Sequence, residues 1–427
     1  MKITVIGGGS TYTPELVEGF ARRSGVLKVD ELVLHDIDVE RLRIVGGLAA
    51  RILARHEFPG HLVTTPDMSA ALEGADAVLI QLRVGGQAAR LIDETLPNKY
   101  GQIGQETTGA GGFAKALRTV PVVLAIADEV RRLAKPGAWI VDFTNPVGIV
   151  TRALLDEGHR AIGLCNVGIG FQRTMARFLS VEPEAIRLGH AGLNHLSWIR
   201  SVDVDGVDQL AELLAGPRAD ELAEQTGVPV ELMRTIRAIP SYYLHYFYCT
   251  DHELASQKAG TNRATEVMRI EAELLEMYQD PTLDTKPALL ESRGGAYYSE
   301  AAAALVTSLL TGDSAHHYVN VRNGGTISGL PDEAVVEVPA LVDERGPHPV
   351  AVQPLAPEML GLVQDVTAYE TLAIEAARSG DRSVARRALL ANPLVRQWDV
   401  VVPLLDELLE VNRRHLPAFF PGELADG

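Results

Sequence analysis

The stretch Val5-Ile6-Gly7-Gly8-Gly9-Ser10-Thr11-Tyr12-Thr13-Pro14-Glu15-Leu16 leaves the chain few ways to begin. An apolar run, Ile3–Ile6, meets three consecutive glycines, and a helical pattern starts near Pro14, a residue favoured in a first turn. Glycine there lets the backbone turn sharply and lets a pyrophosphate approach the N–H groups of the helix N-terminus. The pattern departs from G-x-G-x-x-G because Tyr12 stands at the third glycine. A second apolar run, Leu32–His35, is followed by Asp36, whose carboxylate can accept hydrogen bonds from an adenosine ribose. Strand, turn, helix and acid together predict a dinucleotide site in which Gly7, Gly9, Ser10, Thr11 and Asp36 hold NAD. Asp36 repels the extra phosphate of NADP, with Arg41 and Arg43 acting against that preference. A tight surface turn without a ligand would explain the glycines but not their agreement with the acid.

The apolar runs Ile3–Ile6, Leu32–His35, Leu62–Thr64, Ala77–Leu82, Trp139–Phe143 and Ala161–Leu164 alternate with amphipathic stretches such as Glu40–Arg55 and Phe113–Ala134. The second of these stretches stops at Lys135-Pro136-Gly137. Such alternation predicts a parallel sheet with helices on both faces. From about Glu184 the texture changes. Ile186–Leu188 and Leu196–Val204, with an Asp205-Gly206 turn, read as antiparallel strands. Helical patterns follow at Glu231–Tyr248, Arg263–Tyr278 and Tyr298–Leu310, then strands and loops over 316–342 and helices from about Pro357. The expected fold class is therefore α/β. A Rossmann-type doubly wound parallel sheet over residues 1–168 binds NAD, and an α+β domain over residues 169–427 adds substrate and metal residues, with the site between them.

A formal net charge of −17 argues against nucleic acid and anionic membrane as partners, while leaving room for a local basic pocket around a small anion. Two cysteines cannot make a disulfide framework and fit a reducing cytoplasm. No signal peptide is expected at MKITVIGGGS, and no apolar run is expected to approach the roughly 20 residues of a membrane span.

Other motifs fall at predicted strand ends, where Rossmann ligands lie. Phe143-Thr144-Asn145-Pro146-Val147-Gly148 resembles the N-P-V segment of lactate and malate dehydrogenases, an overall likeness the fold class shares; Asn145 offers a donor and an acceptor there, or else caps a helix. Cys165 and His195, in GLCNVG and GLNHLSW, could bind a borderline divalent metal with positions left for substrate oxygens. Taken singly, a cysteine is more often a small buried hydrophobe, and two ligands do not define a site by spacing. The aromatic run Tyr242–Tyr248 reads as a helix packing face. Arg83, Arg90, Arg263 and Arg293 read as exposed helix arginines, or as phosphate contacts if buried in a cleft.

Taken together, these segments resemble family 4 glycoside hydrolases, the NAD- and metal-dependent group. The matching stretches are IGGGSTYTPEL, RVGGQAARLIDE, KYGQIGQETTGAGGFAKALRTVPV, FTNPVGIVT, GLCNVG, GLNHLSW, YYLHYFY and RGGAYYSEAA. The Cys-Asn pair at 165–166 resembles the 6-phospho-β-glucosidase branch, where the α-specific branch commonly has Cys-Asp. The resemblance implies that Cys165 and His195 hold Mn²⁺ and that Tyr243 is the base at sugar C2. It implies that Glu106 raises the basicity of Tyr243, and that Arg83 and Asn145 help bind the cofactor. Arg90, Asn145 and Arg263 would contact the sugar phosphate, and Asn166 the sugar and metal. The implied reaction is oxidation at C3 by NAD⁺, proton abstraction at C2, elimination of the aglycone, water addition and re-reduction. The implied partner is a small sugar phosphate, and the implied assembly a homodimer or homotetramer. Three positions depart from the family's usual pattern: Gly168 and Ala110, where proline is common, and Arg322 in NVRNGG. They leave the exact substrate, and its phosphorylation, open. A 2-hydroxyacid dehydrogenase and a non-catalytic NAD-binding sensor are the competing readings.

Overall fold

The computed structural model describes residues 1–260, 262–294 and 297–421. Strand β1 (Lys2–Ile6) is buried and runs through the glycines into α1 (Thr13–Arg22). Then come β2 (Glu31–His35), α2 (Val39–Arg55), β3 (His61–Thr65), α3 (Met68–Leu72), β4 (Ala77–Ile80), α4 (Gly86–Lys99) and α5 (Gly109–Leu133). β5 (Trp139–Asp142), α6 (Val147–Asp156), β6 (Ala161–Gly163) and α7 (Val167–Leu179) complete this half. The strands pair in the order β3-β2-β1-β4-β5-β6, every pair parallel. The winding reverses between β1 and β4, so a crevice opens beyond the carboxyl ends of these two strands. This is the expected α/β, Rossmann-type architecture.

The second half continues the same sheet. β7 (Ile186–Leu193), β8 (Leu196–Val204) and β9 (Val207–Asp208) are antiparallel. The helices α8 (Leu210–Ala215), α9 (Arg218–Thr226) and α10 (Val230–Ile236) precede β10 (Ile239–Pro240), and α11 (His245–Tyr248), α12 (Thr250–Ala259), α13 (Arg263–Met277), α14 (Leu289–Ser292) and α15 (Tyr298–Thr311) follow it. β11 (Ala315–Arg322), β12 (Val335–Asp343) and β13 (Gly346–Pro349) then lead to α16 (Pro357–Ser379), α17 (Arg382–Ala391) and α18 (Trp398–Val411). β11 pairs antiparallel with β6 through Asn320 and Gly163, and β12 pairs with β7 through Glu337 and Gly192. A 13-stranded sheet thus runs through both halves of the described residues. Those two junctions carry the carboxyl end of β6 toward the β7–β8 turn.

Packing brings a late helix back to the opening turn. Ile270 and Leu274 of α13, with Tyr278 just after it, share one apolar cluster with Tyr12 and with Val45, Leu48 and Ile52 of α2. Burying aliphatic side chains of this size stabilises by about 1.5–3 kcal/mol each. The Tyr278 hydroxyl donates to the Thr11 carbonyl at 2.7 Å. On the other side of the sheet, Arg118 of α5 is buried and donates to both carboxylate oxygens of Asp93, at 2.9 and 2.6 Å, fastening α5 to α4.

Four expectations need correction. The pattern Glu231–Tyr248 is not one helix: Ile239 and Pro240 pair with β8, and Tyr242–Leu244 is a 3₁₀ turn. Proline biases the residue before it away from the helical region, and pairing to the sheet uses that extended backbone. α5 begins at Gly109, and an 18-residue window of it has mean hydropathy 1.4, long and apolar enough for a membrane span; 78% of that window is buried inside the protein. α4 was not foreseen, because Gly85, Gly86 and Pro97 at its ends read as loop signals. Strands β4, β5 and β6 end one or two residues earlier than the apolar runs, which continue into the turns that carry the site.

Candidate active site

The glycine turn is fixed by backbone geometry. Gly7 has φ +85°, and a Cβ there would collide with the Gln81 carbonyl. Its N–H and that of Gly8 both donate to the His35 carbonyl, at 2.9 and 2.8 Å. Gly9 N–H donates to Asp36 Oδ2 at 2.8 Å, so the acid expected at the ribose also holds the turn. The Ser10 hydroxyl oxygen accepts from Tyr12 N–H at 3.3 Å. Thr11 is buried, with its hydroxyl 3.4 Å from Glu271 of α13, and braces the turn from behind. Among the described residues no side chain caps the N-terminus of α1, whose Thr13 N–H donates to the Ser10 carbonyl instead. Beyond the end of β5, Asn145 Oδ1 is buried and has no hydrogen-bond partner among the described residues. A turn only glycine can make, a helix that starts directly after it and the buried Asn145 amide oxygen fit a dinucleotide. Gly7→Ala should therefore weaken NAD⁺ binding at least about tenfold, roughly 1.4 kcal/mol, in a fluorescence titration; unchanged affinity would contradict this geometry.

Cys165 follows β6 and is 2% exposed; His195 is 4% exposed. His195 and Asn194 alone close the β7–β8 hairpin, with Leu193 opposite Leu196. His195 has φ +61°, uncommon for a residue with a side chain, and such strain concentrates at functional sites. Its ring stacks on Tyr243, with centroids 3.5 Å apart and planes at 13°. Asn194 Nδ2 donates to Glu337 Oε2 at 3.1 Å, Asn320 Nδ2 donates to the same oxygen at 3.1 Å, and His190 Nε2 lies 3.1 Å from Oε1. Burial pushes the Glu337 carboxyl up, but His190 and Asn194 outweigh it and hold it below its ordinary value.

Burial drives His195 down to about 4, so its imidazole is neutral near pH 7. Burial, then the Glu337 charge, pushes the Cys165 thiol up, against hydrogen bonds from Val167 N–H, Tyr298 and Asn194. Tyr243 is pushed up by burial and then by Tyr242 and Cys165. Thiol and phenol both keep their protons near pH 7. Among the described residues, no group of three His, Cys, Asp or Glu side chains could hold a metal. A soft thiolate and a neutral imidazole fit a borderline divalent cation with open positions, whose binding would release the thiol proton.

The partners of Glu106 are three cations: Arg83, Lys115 at 2.7 Å and Arg90 at 3.3 Å. Among the described residues, no hydrogen bond or ion pair joins Glu106 to Tyr243, the tyrosine whose basicity it is expected to raise. Burial pushes Glu106 up, but Arg83, Lys115 and Arg90 hold it well below the carboxylate range. Lys115 is lowered to about 7 by burial and by Arg83. Arg90 also donates to Glu94 at 2.7 Å, and Glu94 in turn accepts from Ala264 N–H at 2.7 Å. Arg83, Arg90 and Lys115 thus gather around Glu106, a cluster whose guanidinium groups suit an anionic substrate.

The remaining positions divide. Asn166 Oδ1 lies 4.0 Å from Cys165 Sγ, at the strand end as expected. Arg263 is turned to its own helix, paired with Glu266 and donating to the Ser292 carbonyl at 2.7 Å. Arg293 donates to Glu271 at 2.7 Å. Gly295 and Ala296, within RGGAYYSEAA, lie outside the described residues. Gly168 is compelled by Tyr318, whose ring fills the space of a Cβ. Arg322 pairs with Asp156 at the end of α6, on the sheet edge opposite the strand carboxyl ends, so it does not line the site. Sequence patterns do not single out Lys115, Gln105, Thr107, Glu271 and Glu337. The first three lie within QETTGAGGFAK, where the glycines dominate the pattern, and the other two sit in ordinary helix and strand patterns.

The family model of family 4 glycosyl hydrolases matches residues 2–181, and that of the family 4 glycosyl hydrolase C-terminal domain matches residues 190–395. The chain belongs to glycosyl hydrolase family 4. Within that family, it is 44% identical over 435 residues to the "Probable 6-phospho-beta-glucosidase" of Bacillus subtilis (strain 168), covering 98% of each. It is 36% identical to the 6-phospho-beta-glucosidase of Escherichia coli (strain K12), covering 98% of this chain and 97% of that one. The solved structure of the 6-phospho-beta-glucosidase of Thermotoga maritima with NAD and glucose-6-phosphate superposes with TM-score 0.91 at 38% identity, over 97% of this chain and 99% of that one. The same family 4 enzyme has also been solved with manganese, NAD⁺ and glucose-6-phosphate, at TM-score 0.89 and 37% identity over 97% and 99% of the two chains.

Proposed function

We propose that this chain is an NAD⁺- and Mn²⁺-dependent 6-phospho-β-glucosidase. The observation that carries the reading is the stacking of Tyr243 on His195 beside Cys165, at the carboxyl edge of a dinucleotide-type sheet, in a full-length family 4 chain. The β-specific choice is supported by the Cys165-Asn166 pair and by relatives: those named 6-phospho-beta-glucosidase are 36–44% identical, while those named for α-glucosides or maltose phosphate are 25–29% identical.

Residues 1–168 hold the cofactor in this reading. Gly7, Gly9 and Ser10 shape the pyrophosphate turn, Asp36 faces the ribose, and Arg83 and Asn145 border the nicotinamide end. Residues 169–427 supply His195 and Tyr243, and Cys165 lies just before the boundary. When bound, NAD⁺ accepts and returns a hydride at sugar C3, and the divalent cation draws electron density from the neighbouring oxygens. Cys165 Sγ and His195 would hold that cation. Tyr243 Oη takes the proton from sugar C2. Arg90, with Lys115 and Arg83 around Glu106, receives the phosphate, and Asn166 orients the sugar. Glu106 then acts as the anion that organises these cations. Arg263 reaches the phosphate only if it leaves Glu266. The reading includes a homodimeric or homotetrameric assembly, supported by the family resemblance, and a cytoplasmic location, supported by two free cysteines.

Matched 4-nitrophenyl α- and β-glucosides, with and without a 6-phosphate, test it. Nitrophenol should be released from the β-6-phosphate alone, only with NAD⁺ and Mn²⁺ present, and without stoichiometric NADH. NADH accumulating with product would indicate a dehydrogenase, and an untouched panel would indicate a sensor.

A further inference from the structure

The His195 ring makes a hydrogen bond whose direction can be worked out atom by atom. Gln105 Oε1 accepts from the backbone N–H groups of Thr107 and, at 3.0 Å, Thr108, so this atom is the amide's oxygen. The Thr107 hydroxyl lies 2.8 Å from the same oxygen and donates to it, because a carbonyl oxygen has no proton to offer. With that proton committed, Thr107 Oγ1 can only accept at its other contact, His195 Nδ1 at 3.0 Å. This accounting assigns the ring proton to Nδ1 and leaves a lone pair on Nε2.

We propose that Gln105 and Thr107 lock His195 in the Nδ1–H tautomer and aim Nε2 at the metal, which makes Thr107 a positioning residue. The inference rests on the reading of His195 as a metal ligand. The lock crosses the molecule. Thr107 stands just before α5, in the cofactor half, while His195 sits in a hairpin turn of the other half, its backbone in the left-handed region. Asn194 is held from the opposite side by Glu337. The residue is therefore fixed at its backbone by the turn and at ring nitrogen Nδ1 by the hydroxyl. Without the acceptor, the imidazole divides between tautomers, and the Nε2–H form cannot ligate until its proton moves. Losing the hydrogen-bond partner of a ligating histidine typically weakens metal binding about 10–100-fold.

Thr107→Val keeps the shape and removes the acceptor; Thr107→Ser keeps the hydroxyl. In Mn²⁺ titrations followed by electron paramagnetic resonance in the presence of NAD⁺, Thr107→Val should raise the Mn²⁺ Kd about 10–100-fold while Thr107→Ser restores most of the affinity. The NAD⁺ Kd should not move in either. In metal-free wild type carrying ¹⁵N-histidine, the His195 signals, identified by their loss in His195→Gln, should be those of a protonated Nδ1 and a bare Nε2. A protonated Nε2 there, or Mn²⁺ affinity in Thr107→Val equal to wild type, overturns the lock. Cys165→Ser separates the two levels. If it abolishes Mn²⁺ binding while Thr107→Val does not, the lock alone falls; if it leaves Mn²⁺ binding intact, the metal reading falls and takes the inference with it.

Discussion

Tyr243→Phe should lower kcat by roughly 10²–10⁴-fold, the range for removing a positioned general base, while NAD⁺ and Mn²⁺ still bind. Phe keeps the ring that stacks on His195 and removes only the hydroxyl, so packing around the turn survives. The substitution is informative because burial and the neighbouring Tyr242 hold the phenol proton on in the free protein. Abstraction at C2 then depends on cationic charge being present, and the variant isolates that step. The check is steady-state turnover of the β-6-phosphate beside exchange of a C2 deuteron with solvent. Loss of both in Tyr243→Phe is the expected outcome; full turnover would remove Tyr243 as the base.

Glu370→Gln should stabilise the cofactor-free protein at alkaline pH and leave it nearly unchanged at pH 5. Glu370 of α16 is 5% exposed, and among the described residues Oε2 has no hydrogen-bond partner. Burial pushes its carboxyl up from 4.5 to about 8, with Arg152 opposing. An acid whose folded value exceeds its unfolded value binds its proton more tightly when folded. Between pH 4.5 and about 8, the folded chain keeps a proton that the unfolded chain has released, so stability falls as pH rises through that window. The slope is about 1.4 kcal/mol per pH unit for a single such group. Glutamine fills the same space without the charge and removes this dependence. Thermal unfolding of both proteins from pH 5 to 9 should show Tm curves that meet at the acid end and diverge upward. Parallel curves would show that Glu370 is ionised in the folded protein.

What can be read from one dimension here is what is governed locally. A glycine at φ +85°, a proline in a first turn and a carboxylate directly after the second strand are each recognised from the few residues beside them. The cofactor turn and the alternation that builds the parallel sheet are therefore readable before folding. Cys165, His195 and Tyr243 are individually unremarkable residue types. It is the order of whole segments, carried by the family resemblance, that singles them out.

Their apposition is another matter. It depends on β11 entering the sheet beside β6 and β12 meeting β7, pairings between strands far apart in sequence. No period or spacing announces such pairings, because they are chosen by the packing of the whole. The same holds for Glu106, whose charge is claimed by Arg83, Arg90 and Lys115, and for the helix pattern at Glu231–Tyr248, broken where Pro240 joins the sheet. The order of residues is enough to reveal the dinucleotide turn at Gly7–Gly9 and the side chains able to do chemistry. The free nitrogen of His195, the cations around Glu106 and the protons that Cys165 and Tyr243 retain follow from folding, because burial and hydrogen-bond partners are set by neighbours that the fold brings together.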